Sequence, residues 1–143
     1  MKTVYFACSI AGGRDYAFVY KDLVKTIKSC GVEVHGELFA DPNLEAETGT
    51  NPEYTPEFVY KRDTRWLRES DAFIADASQP SLGVGYEIAL AENLGKPVLV
   101  LFYKNSLNRF SPMIVGNPNI QIFEYTEHTK TQKAIKEFIK KLG

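Results

Sequence analysis

Several features that would mark out a specialised protein are scarce in this chain. It has two cysteines in 143 residues, Cys8 and Cys30. One lies in an apolar run and the other near the end of a helical pattern, with no CxxC pair and no clustered histidine, so both read as free, buried thiols. The two histidines, His35 and His128, are isolated, which leaves no zinc-like ligand spacing and the expectation of no metal and no other cofactor. No sign of charge predominates: Lys and Arg total 17 against 18 Asp and Glu, a formal net charge of −1. Such a balance offers no broad positive field for a nucleic acid polymer. The lysines between Lys130 and Lys141 alternate with Ala134, Ile135, Phe138, Ile139 and Leu142 at helical spacing, as on the solvated face of a terminal helix. No apolar run is long enough to cross a bilayer. Residues Met1 to Ala7 pass directly into a strand pattern without a signal-like stretch, so a soluble, cytoplasmic or nuclear protein with no membrane partner is expected.

What is present is an alternation. Short hydrophobic runs are interleaved with longer segments of helical period over one domain, residues 1–143, with no repeat or linker. Val4 to Cys8 predicts a first strand, and Arg14 to Cys30 a helix on Val19, Leu23, Ile27 and Cys30 that Gly31 stops. Val32 to His35 predicts a second strand. Asp41 to Glu53, rich in Pro, Asn, Gly and Glu, predicts a long loop of the kind that closes over a ligand. Thr55 and Pro56 open a further helix as cap and first residue. Ala72 to Ala75, Pro97 to Phe102 and Asn119 to Phe123 predict three more strands, with a helix over Leu82 to Leu94 and another at the end. The pattern specifies an α/β fold, a three-layer Rossmann-like (flavodoxin-like) sandwich with a five-stranded parallel sheet, in which ligands bind at the C-terminal ends of the strands.

Two acids interrupt apolar stripes. At about 100° per residue, the helix from Pro56 gathers Val59, Tyr60, Trp66 and Leu67 into one arc with Asp63 in its middle. The helix from Leu82 aligns Val84, Ile88, Ala91 and Leu94, with Glu87 between the last two. Burying an ionised carboxylate without partners costs several kcal/mol. Either acid alone is as well explained by an ion pair with Arg62 or Arg65 as by function; the two together favour a site. Glu69, by contrast, falls between Arg62 and Arg65 on the polar side and reads as a surface charge. Trp66 reads as core, although its ring could also stack on a base.

Two glycine-bearing turns join strands to helices. Ser9-Ile10-Ala11-Gly12-Gly13-Arg14 follows the first strand, and Gln79-Pro80-Ser81-Leu82-Gly83-Val84-Gly85-Tyr86-Glu87 follows the third. Backbone N–H groups at such a turn, together with the helix dipole, attract an anion. The first is neither a Walker A sequence nor a full GxGxxG.

Taken with Tyr5-Phe6, Asp63 with Trp66-Leu67, and Ser111 with Met113-Ile114 and Gly116, these segments resemble the 2'-deoxynucleoside 5'-phosphate N-hydrolases of the nucleoside 2-deoxyribosyltransferase family over most of the chain. The resemblance implies an enzyme, a homodimer acting on a small-molecule nucleotide. Glu87 would attack C1' of the deoxyribose as the base departs, and water would release 2-deoxyribose 5-phosphate. It further implies that Asp63 assists at base or sugar and that Tyr5 orients the nucleophile. Ser9, Ile10, Gly12, Gly13, Arg14, Ser81, Gly83, Ser111 and Met113 would bind substrate, with Ser111 reaching the neighbouring subunit's site. The transferases of the family carry an acidic residue where Ser81 stands, and an acid there would repel a phosphate dianion. Ala11 departs from the hydrolases, which carry a basic residue at that place. The other readings are a transferase exchanging bases and a nucleotide-binding module without catalysis, which would have no need of both acids.

Overall fold

The computed structural model describes residues 1–9, 17–41, 54–104 and 109–143. Within these, five parallel strands form one sheet in the order β2-β1-β3-β4-β5. They are β1 (Thr3–Ala7), β2 (Glu33–His35), β3 (Ala72–Asp76), β4 (Val98–Tyr103) and β5 (Gln121–Tyr125). The helices are α1 (Ala17–Ser29), α2 (Pro56–Glu69), α3 (Leu82–Asn93), the short α4 (Pro112–Val115) and α5 (Thr131–Lys140). Every expected strand and long helix is present, with ends that coincide or differ by at most two residues; the expected start of α1 at Arg14 lies outside the described residues. Three features were not foreseen: α4, and 3-10 turns over Glu37–Ala40 and His128–Lys130. The expected loop, apart from Asp41, lies outside the described residues.

The three central strands are apolar on both faces because helices cover both. Val4, Tyr5 and Phe6 of β1, Phe73 and Ile74 of β3, and Leu99 to Leu101 of β4 are fully buried, as parallel sheets require. The chain runs from β1 to β2 on one side and returns to place β3 on the other, so the order reverses between β1 and β3. A crevice opens at the strand ends where such a reversal occurs. In register, Tyr5 lies opposite His35 on β2 and Phe73 on β3.

Local chemistry sets the helix ends near this crevice. Thr55 accepts a hydrogen bond from the Phe58 amide at 3.1 Å, with Pro56 in the first turn. At the other end of α2, Lys96 Nζ donates to the carbonyls of Arg68 and Ser70 at 2.9 and 2.6 Å, a cation on the negative end of the dipole. Ser81 caps α3 through the Val84 amide at 3.3 Å. The turn between β3 and α3 is anchored from below. Tyr125 donates to Asp76 Oδ2 at 2.6 Å, the Ser78 amide donates to Oδ1 at 2.9 Å, and the Tyr103 amide donates to Ser78 Oγ at 2.8 Å. Burial pushes the Asp76 carboxyl above its usual range, which these hydrogen bonds only partly offset.

Gly36 joins β2 to the 3-10 turn with φ +81°, a left-handed conformation. A Cβ at this position would fall 2.3 Å from the Phe6 carbonyl oxygen and 2.8 Å from Cε1 of Tyr5, so only glycine fits. Among the described residues no helix is long and apolar enough to cross a membrane.

Candidate active site

The cleft at the β1/β3 crevice encloses about 820 Å³, ample for a nucleotide. Its floor comes from the strand ends, through Ala7, Cys8 and Ala77. One wall is the turn and first helical residues from Gln79 to Glu87, and the other carries Phe39, Val59 and Asp63, with Arg109, Ser111 and Ile114 completing the rim. The two acids singled out by the helical wheels therefore face one cavity from different helices.

Glu87 is held from within the sheet. The hydroxyl of Tyr5, a fully buried β1 residue, donates to Glu87 Oε2. Burial pushes the Glu87 carboxyl up to about 8, aided by the nearby charge of Asp63; the Tyr5 hydrogen bond and the charge of Arg62 act the other way without prevailing. Tyr5 in turn is raised well above its ordinary value, first by burial and then by the charges of Glu87 and Asp63. It therefore stays protonated and keeps its role as donor. A perturbed acid in a cleft, with a specific partner, is what makes this a candidate functional site.

Asp63 shows both alternatives at once. It lines the cleft, and its Oδ1 accepts from Arg62 Nε at 2.8 Å. Helix α2 corrects two wheel assignments. Tyr60 is 52% exposed instead of lying on the buried arc, and Arg62, placed on the polar side, is 8% exposed. The reason is aromatic. The Arg62 guanidinium lies 5.0 to 5.9 Å from the ring centres of Phe39, Tyr54, Phe58 and Trp66. Cation–π contacts of this kind are worth about 2 kcal/mol when desolvated, enough to draw in a side chain that periodicity assigns to water. Trp66 itself packs against the core, its ring parallel to that of His35 and tilted against Tyr5. Leu94, expected on the buried stripe of α3, is also exposed, beyond the last turn of the helix. Glu69 is exposed as expected.

The expected binding residues divide into three groups. Ser81, Gly83 and Ser111 line the cleft. Ser111 does so in its own chain, at the start of α4, which Asn117 ties to α3 through Glu92 Oε2 at 2.8 Å. Ser9 is fully buried, and the cleft takes its β1 lining from Ala7 and Cys8. Met113 does not line it: this residue is 85% exposed, and its neighbour Ile114 faces the cavity instead. The turn of α4 points the two side chains in different directions. Ile10, Gly12, Gly13 and Arg14 lie outside the described residues.

Two residues were not singled out from sequence: Arg109 is the cation among the described residues that line the cleft, and Phe39 is one of its aromatic walls. Arg62, named there as a candidate ion-pair partner, does pair with Asp63, but its burial was not expected. The Asp63-adjacent arginine was visible in the sequence, but neighbouring residues on a helix normally point apart. Among the described residues no group of three or more His, Cys, Asp or Glu is placed to hold a metal ion.

The family model for nucleoside 2-deoxyribosyltransferases matches residues 4–136. The 5-hydroxymethyl-dUMP N-hydrolase of Mus musculus is 40% identical over 128 residues, covering 87% of this chain and 73% of that protein. Its counterpart from Tetraodon nigroviridis is 39% identical over 129 residues, covering 90% and 89%. Among solved structures, a Clostridium botulinum CMP N-glycosidase superposes with TM-score 0.65 at 21% identity, covering 94% of this chain and 98% of that one, which supports the fold. The chain belongs to the nucleoside 2-deoxyribosyltransferase family.

Proposed function

We propose that the protein hydrolyses the N-glycosidic bond of 2'-deoxynucleoside 5'-monophosphates, with Glu87 as nucleophile. One observation carries this reading: a carboxyl held by Tyr5 and facing a second acid, Asp63, across a nucleotide-sized cleft. The Glu87 carboxylate attacks C1' of the deoxyribose, the C1'–N bond breaks, and the base leaves with the bonding pair and takes up a proton. Water then adds to C1', frees the carboxylate and releases 2-deoxyribose 5-phosphate. Covalent catalysis of this type replaces one difficult displacement by two easier ones. Asp63 assists at the base or sugar, and Tyr5 fixes the attacking oxygen.

The phosphate is assigned to the mouth of the cleft. Ser81 and Gly83 stand there at the N-terminus of α3, with Ser111 and Arg109 on the rim. Arg109 supplies a cation in a chain that has Ala11 where the hydrolases it resembles are basic. Ser9 and the residues Ile10, Gly12, Gly13 and Arg14 that follow it in sequence belong to the same proposal. A homodimer is proposed as well. Leu82 at 97% and Met113 at 85% exposure, with Tyr86, put apolar surface beside the cleft. A partner seated there would cover them, and sedimentation equilibrium tests it.

The deciding experiment is chromatography of products from each of the four deoxynucleoside monophosphates, their nucleosides and the matching ribonucleotides, with Glu87→Ala as control. Free base and deoxyribose 5-phosphate from the monophosphates, absent with the variant, are expected. Turnover only of unphosphorylated nucleosides, or only with an added base, would instead identify a transferase.

A further inference from the structure

Arg62 does not line the cleft, yet it is built into the site more firmly than any cation that does. Its guanidinium lies within 5.9 Å of the centres of four aromatic rings contributed by the 3-10 turn, by Tyr54 and by α2 itself. Its side chain is 8% exposed, against 18% for Asp63, and Nε meets Asp63 Oδ1 at 2.8 Å. Successive residues on a helix diverge by about 100°, so this contact forms only because the rings hold the arginine to one side. A delocalised planar guanidinium can stack and donate at the same time, and an ammonium cannot.

We propose that Arg62 is a positioning residue of the active site: clamped by Phe39, Tyr54, Phe58 and Trp66, it fixes the direction in which the Asp63 carboxylate faces the cleft and keeps one positive charge behind the two acids. The inference rests on the reading of Asp63 and Glu87 as the working acids. Among the described residues, the groups that face Glu87 are Tyr5 from β1 and Asp63 with Arg62 from α2, while Tyr86 adjoins it on α3 and Arg109 stands on the cleft rim. Two carboxyl groups in one cleft resist joint ionisation. Arg62, at 2.8 Å from Asp63, favours the carboxylate form of that acid, and burial keeps the proton on Glu87. Asp63 then meets substrate as an oriented acceptor, and Glu87 releases its proton to solvent water before its carboxylate attacks C1'.

The test compares the full chain with Arg62→Met, which keeps an apolar stem in the ring cage, and Arg62→Lys, which keeps the charge without the planar fork. Two readouts are needed: kcat and KM for a deoxynucleoside monophosphate across pH, and carbon-13 carboxyl NMR titration of Glu87 and Asp63 in the free protein. For Arg62→Met, kcat should fall about 10²-fold, the cost of a misplaced group, with KM little changed and the Glu87 titration moved to higher pH. Arg62→Lys should return that titration toward the wild-type value while recovering only part of kcat. Wild-type kcat and wild-type titrations in Arg62→Met, with only thermal stability reduced, would overturn the proposal. Should Arg62→Met fail to fold, Arg62→Gln carries the same neutral comparison. If the wild-type chain turns over no monophosphate, the functional reading fails, and the NMR titrations still decide the role of Arg62.

Discussion

The Tyr5 hydroxyl donates to Oε2 of Glu87, which joins the middle of the first strand to the acid on the wall of the cleft. Since that bond favours the charged carboxylate, Tyr5→Phe should leave Glu87 harder to ionise. A hydrogen bond to a charged group is worth about 1.5–3 kcal/mol, so kcat/KM at neutral pH should drop roughly 10- to 100-fold. Its acid limb should move to higher pH. An unchanged profile in Tyr5→Phe would remove Tyr5 from the mechanism.

Glu87 titrates in the free protein near 8, and a nucleophile must be ionised. The kcat/KM of the wild-type enzyme should therefore rise with pH up to about 8 and then level. A plateau already reached at pH 6 would contradict the assignment.

The same shift has a stability side. A carboxyl whose folded value, about 8, exceeds its unfolded value near 4.5 keeps its proton more tightly when folded. Stability is then fullest below pH 4.5 and declines as pH rises toward 8. Glu87→Gln removes this penalty. The variant should be more stable than wild type at pH 8, by on the order of a few kcal/mol, with the gap closing toward pH 5. Chemical denaturation at the two pH values measures it, and a gap independent of pH would refute it.

Asp63→Asn should act in two directions. Loss of a working acid should cost kcat about 10²- to 10⁴-fold, less than Glu87→Ala. Removing the negative charge beside Glu87 should also move the acid limb to lower pH, opposite to Tyr5→Phe. Variants of adjacent residues that shift one limb in opposite senses are difficult to attribute to general damage.

Phosphate recognition predicts a split between substrates. Arg109→Ala should raise KM for monophosphates about tenfold, in a salt-sensitive way, with nucleosides unaffected. Ser81→Asp should shift preference from monophosphates to nucleosides, since the acid would face the phosphate. Ser81→Ala also loses the α3 cap and should cost about 1 kcal/mol of stability. Equal effects on both substrate classes would place the phosphate elsewhere.

The alternation of runs and periods made the sheet legible because a parallel sheet buries both faces of its strands, and Leu99 to Leu101 and Phe73 to Ala75 show it. Glu87 and Asp63 were legible for the opposite reason: each breaks a stripe that burial would otherwise keep apolar. The ion pair of Asp63 with Arg62 was legible as one of two candidates, but the burial of Arg62 was not, because its place depends on four rings gathered from separate parts of the chain, and a helical wheel contains none of that. Met113 and Ile114 show a different limit. Their motif located α4 near the cleft, but the rotation of a one-turn helix decides which side chain enters. The lock beneath the turn from β3 to α3, Asp76 and Ser78 with Tyr103 and Tyr125, joins β3, β4 and β5 and leaves no periodic trace.

Gly36 sets a mechanical tolerance for the whole site. Its backbone lies against the edge of the ring whose hydroxyl grips Glu87, so the Glu87 carboxyl is aligned by a bearing with glycine on the far side. A single added methyl would press on the Phe6 carbonyl and on the ring, in a backbone conformation that strains any other residue, and would displace the hydroxyl that holds Glu87. In a saturation mutagenesis screen, position 36 should therefore score with the catalytic residues, although it has no side chain and takes no part in the chemistry.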